Sequence, residues 1–173
     1  MTTNAGPPTL SKLVITIICI ALLGVTTVIF NGVLDDINNP NKQLTININE
    51  FGDKDIILER NRYGHYVASG EINDKPVEFL LDTGATLVAI PAHIATQLKL
   101  KKGQSFQSQT ANGNSQSYAT TIDRLALGDI VMTNVPASIS SGMEFDEILL
   151  GMSFLKHLHL TQQGKELRIR LPD

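Results

Sequence analysis

A chain of 173 residues with 42% hydrophobic content has room for one ordinary core and an appendage, and 14 basic against 17 acidic residues leave a net charge of -3. That balance lacks the basic excess a phosphate-binding surface needs, so no nucleic-acid partner is expected. The single cysteine, Cys19, cannot close an intramolecular disulfide, and His157 and His159 share a strand face with no thiol or carboxylate beside them; neither a metal nor a cofactor is expected.

The appendage comes first. Residues 1–12 make a short tail that carries Lys12, and Leu13 to Phe30, "LVITIICIALLGVTTVIF", follow with no charge. As a helix this stretch is roughly 27 Å long, close to the roughly 30 Å of a bilayer's hydrocarbon, so a transmembrane helix is expected over 13–30. A cleaved signal peptide fits less well, because its apolar region is about 7 to 15 residues and no small-x-small site follows here. A buried globular helix would carry a polar stripe, which scattered Thr does not supply. Lys12 before the span and Asp35 and Asp36 after it place the tail in the cytoplasm. In a bacterial inner membrane, the remainder of a single-pass chain would then be periplasmic. Residues 31–43, "NGVLDDINNPNKQ", read as a linker from their Asn, Asp, Gly and Pro content.

Residues 44–173 are expected to form one mainly β domain. "LTININE" alternates strictly, with Leu44, Ile46 and Ile48 on one face. "DIILER", "HYVASGEI" and "PVEFLLD" are further strands, the last two joined through "NDK" as a hairpin. "PAHIATQLKL" predicts a helix with Pro91 at its first position and Ile94, Leu98 and either Ala95 or Gln97 on the inner face. "SFQSQTANGNSQSYATTI" reads as two polar arms around Asn112-Gly113, a pair suited to the positive φ of a tight hairpin turn; a disordered polar loop is the alternative. A hairpin about Gly128-Asp129, an apolar strand with a glycine and short helix in "EILLGMSFLKHL", and a final hairpin in "LHLTQQGKELRIRL" complete the chain.

Asp82 is the residue that asks for an explanation. In "EFLLDTGATLVAIP" it ends an apolar run and precedes another, and an ionised carboxylate in such surroundings needs a partner, hydrogen bonds or a proton. A plain turn is the modest alternative, since Asp, Thr and Gly all favour turns. Some seventy residues later the chain has a second short motif, Leu149-Leu150-Gly151.

The order of hairpin, "FLLDTGAT", helix, Asn-Gly hairpin, meander, "ILLG" and short helix resembles the retropepsin-like aspartic proteases, in particular the bacterial, membrane-anchored, single-lobe members. The resemblance covers about residues 55 to 172. It implies a single-lobe acid-protease barrel with one or two short helices. It also implies Asp82, Thr83 and Gly84 as the catalytic set, and Thr83 hydrogen-bonding to a partner subunit. Ala85 and Thr86 with the flap tip Ala111, Asn112, Gly113 and Asn114 would touch the peptide. Leu149, Leu150 and Gly151 would support the site, Gly151 letting a strand pass close beneath the catalytic loop. Peptide hydrolysis of this kind uses two carboxylates sharing one proton, one as base and one as acid. No other Asp in the chain is followed by Thr-Gly or Ser-Gly, so the second carboxylate is expected from a second copy, in a C₂ homodimer acting on a protein or peptide. Retroviral members commonly carry Asp and Arg, as an ion pair, where this chain has Thr86 and Met152. Besides a membrane-anchored endopeptidase, two readings stay open: a catalytically silent dimerisation or peptide-binding module of the same fold, and a tethered structural β domain in which Asp82 is only a turn residue.

Overall fold

The computed structural model describes residues 9–48, 54–110 and 113–172, which fall into two compact units, 1–37 and 38–173. The first is helical. Helix α1, Thr9–Asn38, contains a span long and apolar enough to cross a membrane by length and composition. Its polar interruptions are satisfied locally: the hydroxyls of Thr16, Thr26 and Thr27 donate to the carbonyls of Lys12, Leu22 and Leu23 at 2.9, 2.7 and 2.8 Å.

The second unit is mainly β. In chain order it contains β1 (Thr45–Ile48), β2 (Lys54–Glu59), β3 (Val67–Ile72), β4 (Lys75–Leu81) and β5 (Val88–Pro91). Helix α2 (Ala92–Gln97), β6 (Ser105–Thr110), β7 (Gly113–Leu127), β8 (Ile130–Ser140) and β9 (Ile148–Leu150) come next, followed by α3 (Met152–Leu155), β10 (His159–Gln163) and β11 (Glu166–Arg170). Four strands form one sheet in the order β1-β2-β11-β10, and seven form another in the order β3-β4-β9-β5-β8-β7-β6. The larger sheet bends until β7 also pairs with β3, Glu71 opposite Ala126 and Ile72 opposite Leu125. Phe79, Ile90, Ile122, Leu125, Ile139, Ile148, Leu150 and Phe154 fill its interior, and Ile56, Leu58 and Ile169 from the smaller sheet belong to the same core.

Tight turns set the registers. Asn73 and Asp74 join β3 to β4 with φ of 49° and 62°, the left-handed pair that matches strand twist. The β6–β7 hairpin pairs Thr110 with Gly113, so Gly113 begins the returning strand; the expected Asn112-Gly113 turn falls partly outside the described residues, with Ala111 and Asn112. Helix α2 buries Ala95 and Leu98, which decides between Ala95 and Gln97 as the inner residue, while Pro91 closes β5 and caps the helix from outside.

Two expectations need correction. Residues 31–38 continue α1, because nothing between Asn31 and Asn38 breaks a helix until Pro40 approaches. Beyond it, the expected linker is partly a staple. Asn41 is buried; its Nδ2 donates to the carbonyls of Glu59 and Val67 at 2.9 and 2.7 Å, and its Oδ1 accepts from the Glu59 N–H at 2.7 Å. Asn39, also buried, donates to Glu78 at 2.8 Å and to Ser69 at 3.1 Å, and its Oδ1 accepts from the Asn41 N–H at 2.9 Å. The two asparagines join the end of β2 to the β3–β4 hairpin. The second concerns β1, where strict alternation argued a half-buried strand: Ile46 is 41% and Ile48 63% exposed, and among the described residues this edge strand pairs with β2 alone.

The sharpest steric constraint lies where β9 runs between β4 and β5. It pairs in parallel with β4, Leu81 opposite Leu150, and antiparallel with β5, Ala89 opposite Leu149. The chain from Asp82 to Leu87 must therefore cross over the end of β9 to reach its other side. A Cβ at Gly151 would lie 2.2 Å from the Leu87 carbonyl oxygen and 2.7 Å from that of Ala85.

Two stability measurements check this account. Asn41→Ala would leave buried backbone groups of Glu59 and Val67 without partners, and a loss of about 2–4 kcal/mol is expected in chemical denaturation; a fragment starting at Leu44 should be less stable than one starting at Asn38. Gly151→Ala forces backbone apart instead of moving a side chain, and a cost above about 3 kcal/mol is expected, read as loss of a cooperative thermal transition.

Candidate functional site

Asp82 is positioned by the strand before it and the turn after it. Its N–H donates to the Leu150 carbonyl at 3.2 Å, extending the β4–β9 pairing by one residue, and its own carbonyl accepts from the Ala85 N–H at 3.2 Å. The Gly84 N–H donates to Asp82 Oδ1 at 2.8 Å. A Cβ on Gly84 would stand 3.1 Å from that same oxygen, so glycine lets the amide approach without crowding the carboxylate. Oδ2 makes no hydrogen bond among the described residues. Asp82 as a residue is partly buried, while Thr83 and Gly84 are exposed.

The crossing loop is held from below by α3. Met152 and Ser153 donate their N–H groups to the carbonyls of Ala85 and Thr86 at 2.8 and 2.9 Å. The buried Ser153 hydroxyl accepts from the Val88 N–H at 2.9 Å. The segments that carry Thr86 and Met152, residues with no side-chain charge to pair, are thus joined through the main chain as Met152 to Ala85 and Ser153 to Thr86, and Ser153 adds the side-chain contact to Val88. Sequence reasoning missed Ser153; a small hydroxyl residue two places after the glycine was the available signal.

Above the loop is a cavity of about 680 Å³, lined at its base by Asp82, Gly84, Ala85, Thr86 and Leu149. Phe106, Ser108 and Gln109 of β6 and Ser117 of β7 roof it, and Met143 and Phe145 border it from the connection after β8. Of the expected site residues, then, Asp82, Gly84, Ala85, Thr86 and Leu149 come together on one cavity, Leu150 and Gly151 are buried beneath it, and Thr83 is not part of its lining. Gly113 and Asn114 are exposed at the far end of the hairpin and do not line it, and Ala111 and Asn112 are outside the described residues. The serines and the two phenylalanines of the lining were not singled out from the sequence, where they look like surface positions of polar strands. Asp82 is the only carboxylate among the described lining residues. A single carboxylate can act as base or as acid, but a reaction needing both at once requires another.

The family described as "gag-polyprotein putative aspartyl protease" matches residues 68–157, more than half of the chain. An uncharacterized protein in the cobV 5' region of a Sinorhizobium species is 29% identical over 130 residues, covering 73% of this chain and 56% of that protein. The uncharacterized protein RP867 of Rickettsia prowazekii is 28% identical over 120 residues, covering 66% of this chain and 50% of that protein. The chain spans about half the length of these curated relatives. Among solved structures, a retropepsin-like aspartic protease from Rickettsia conorii superposes with a TM-score of 0.56 at 29% identity, over 66% of this chain and 97% of that one. The family match runs from β3 to just beyond α3 and takes in the Asp82 turn, the hairpin above it and the crossing at Gly151; the chain belongs to the retropepsin-like aspartic protease family.

Proposed function

We propose that the protein is a membrane-anchored aspartic endopeptidase in which Asp82 of two copies forms the catalytic pair on a two-fold axis. The observation that carries this reading is the cavity base, where the Asp82 carboxylate accepts a hydrogen bond from the Gly84 amide and is the only acid among the described lining residues. In the proposed reaction the ionised carboxylate takes a proton from water, whose oxygen attacks the scissile carbonyl carbon. The protonated carboxyl of the other copy gives its proton to the carbonyl oxygen. The resulting tetrahedral diol collapses: one of its hydroxyls returns a proton to the carboxylate that has just become ionised, the C–N bond breaks as the amine nitrogen takes the proton held by the other carboxyl, and the products leave as an amine and a carboxylic acid with the dyad again sharing one proton. Thr83 is assigned to contacts between the copies, consistent with its exposure in one chain. Ala85, Thr86 and the hairpin tip, Ala111 to Asn114, are assigned to the peptide backbone.

The helix 13–30 is assigned to the bilayer, which would raise the effective concentration of the two copies by confining them to one surface. Lys12 on one side and Asp35 and Asp36 on the other support assigning the catalytic domain to the periplasm. The organisms of the relatives, a Sinorhizobium species and two Rickettsia species, support a bacterial membrane as the setting.

Assembly and topology can each be tested. For a soluble fragment beginning at Asn38, activity should fall faster than linearly on dilution, Asp82→Asn should abolish it, and excess Asp82→Asn protein should suppress the wild type by forming inactive mixed dimers. Linear dilution without suppression would indicate a one-chain catalyst. A reporter that fluoresces only in the cytoplasm, fused after Asp173, should remain dark; bright cells would reverse the orientation.

A further inference from the structure

One wall of the cavity is more polar than peptide hydrolysis itself requires. Ser138 and Ser140 lie two residues apart on β8 and so face the same way, and Ser117 of β7 is directly opposite Ser140 in the ladder. All three are buried and, with Ser108 of β6, line the cavity. Two of these hydroxyls satisfy each other, Ser108 and Ser117 being 2.8 Å apart, and Ser108 also reaches the Ser115 carbonyl at 3.2 Å. Ser140 is different. It is 4% exposed, and its Oγ has no hydrogen-bond partner among the described residues.

The surroundings limit what could satisfy that hydroxyl. Gly142, in the connection after β8, lies close to the hairpin: a Cβ there would meet Ser115 Oγ at 2.6 Å. The rest of the lining is largely apolar, with Leu87, Phe106, Met143, Phe145 and Leu149 prominent, and Asp82 supplies the only charge among the described lining residues. An acidic ligand side chain would meet that charge with no cation to offset it. A basic one would pair with the carboxylate needed for chemistry. A purely aliphatic one would leave the buried hydroxyl unpaired, which is destabilising. An amide or hydroxyl meets neither objection, because Ser140 can both donate and accept.

We infer that Ser140 is the specificity determinant of a polar subsite, and that the preferred substrate is a polypeptide with an uncharged hydrogen-bonding side chain, Asn, Gln, Ser or Thr, close to the cleaved bond. This rests on the endopeptidase reading. The full chain in detergent micelles should be given peptide series that differ at one position by near-isosteric pairs, Asn against Leu and Thr against Val. At one position kcat/KM should favour the polar member by about five- to tenfold, the size of one neutral hydrogen bond. Ser140→Ala should bring that ratio to near one, with a melting temperature no lower than the wild type's because the hydroxyl it removes is unpartnered. Cleavage with no polar preference at any position, or a preference that survives Ser140→Ala, would overturn the inference while leaving the protease intact. If no peptide is cleaved, the endopeptidase reading fails, and fluorescence anisotropy of the same peptides decides separately. A Ser140-dependent preference for the polar members supports the subsite, whereas equal binding or none overturns it.

Discussion

Everything around Asp82 depends on two stretches of backbone passing within van der Waals contact of each other. With strand β9 between β4 and β5, residues 82–87 have to cross its end, and the carbonyls of Ala85 and Leu87 come so close to Gly151 that a single methyl group has no place. The proximity allows Asp82 to donate to Leu150, and Met152 and Ser153 to donate to Ala85 and Thr86. A carboxylate on an unsupported loop would sample many orientations; here both flanks of the turn are hydrogen-bonded to one short strand and the helix that follows it. Precise placement of a reacting group is worth a large part of a catalytic barrier, so under the proposed endopeptidase function the crossing has a chemical meaning as well as a steric one.

The same contacts bear on the residues at 86 and 152. Thr and Met cannot form an ion pair, yet their segments are held together by two main-chain hydrogen bonds and by the Ser153 hydroxyl on Val88. A buried hydroxyl accepting from a backbone amide needs no counter-charge and avoids the desolvation that an ion pair incurs. Integrity of the loop within one chain is thereby independent of surface charge and of ionic strength.

Much of this was legible in the amino-acid sequence, for reasons that differ from place to place. Asp82-Thr83-Gly84 and Leu149-Leu150-Gly151 stand out because a carboxylate and a glycine amid apolar residues are each locally anomalous. The Asn73-Asp74 and Gly128-Asp129 turns stand out because few residues tolerate the backbone they require. Asn39 and Asn41 gave no such signal: beside Pro40 they have the composition of a spacer, and only the spatial meeting of β2 with the β3–β4 hairpin gives their amides partners. Ser138 and Ser140 alternate with Ala137 and Ile139 as solvent-facing residues would, and their burial depends on a roof contributed by strands more than twenty residues earlier. Ile46 and Ile48 show the opposite case, an apolar period on a strand whose outer neighbour is absent from the described fold.

Strand β7 links these parts mechanically. Over its 15 residues, roughly 50 Å of extended chain, it pairs first with β6, then with β8, and finally with β3 at Glu71 and Ile72. Its residues pass from exposed at Gly113 and Asn114 to fully buried at Leu125 and Leu127. A roof built this way has no separate hinge. It is a cantilever clamped at one end in the core, so bending is distributed along one ladder, and amide-exchange protection should rise steadily from Gly113 to Leu127 instead of changing at a single joint.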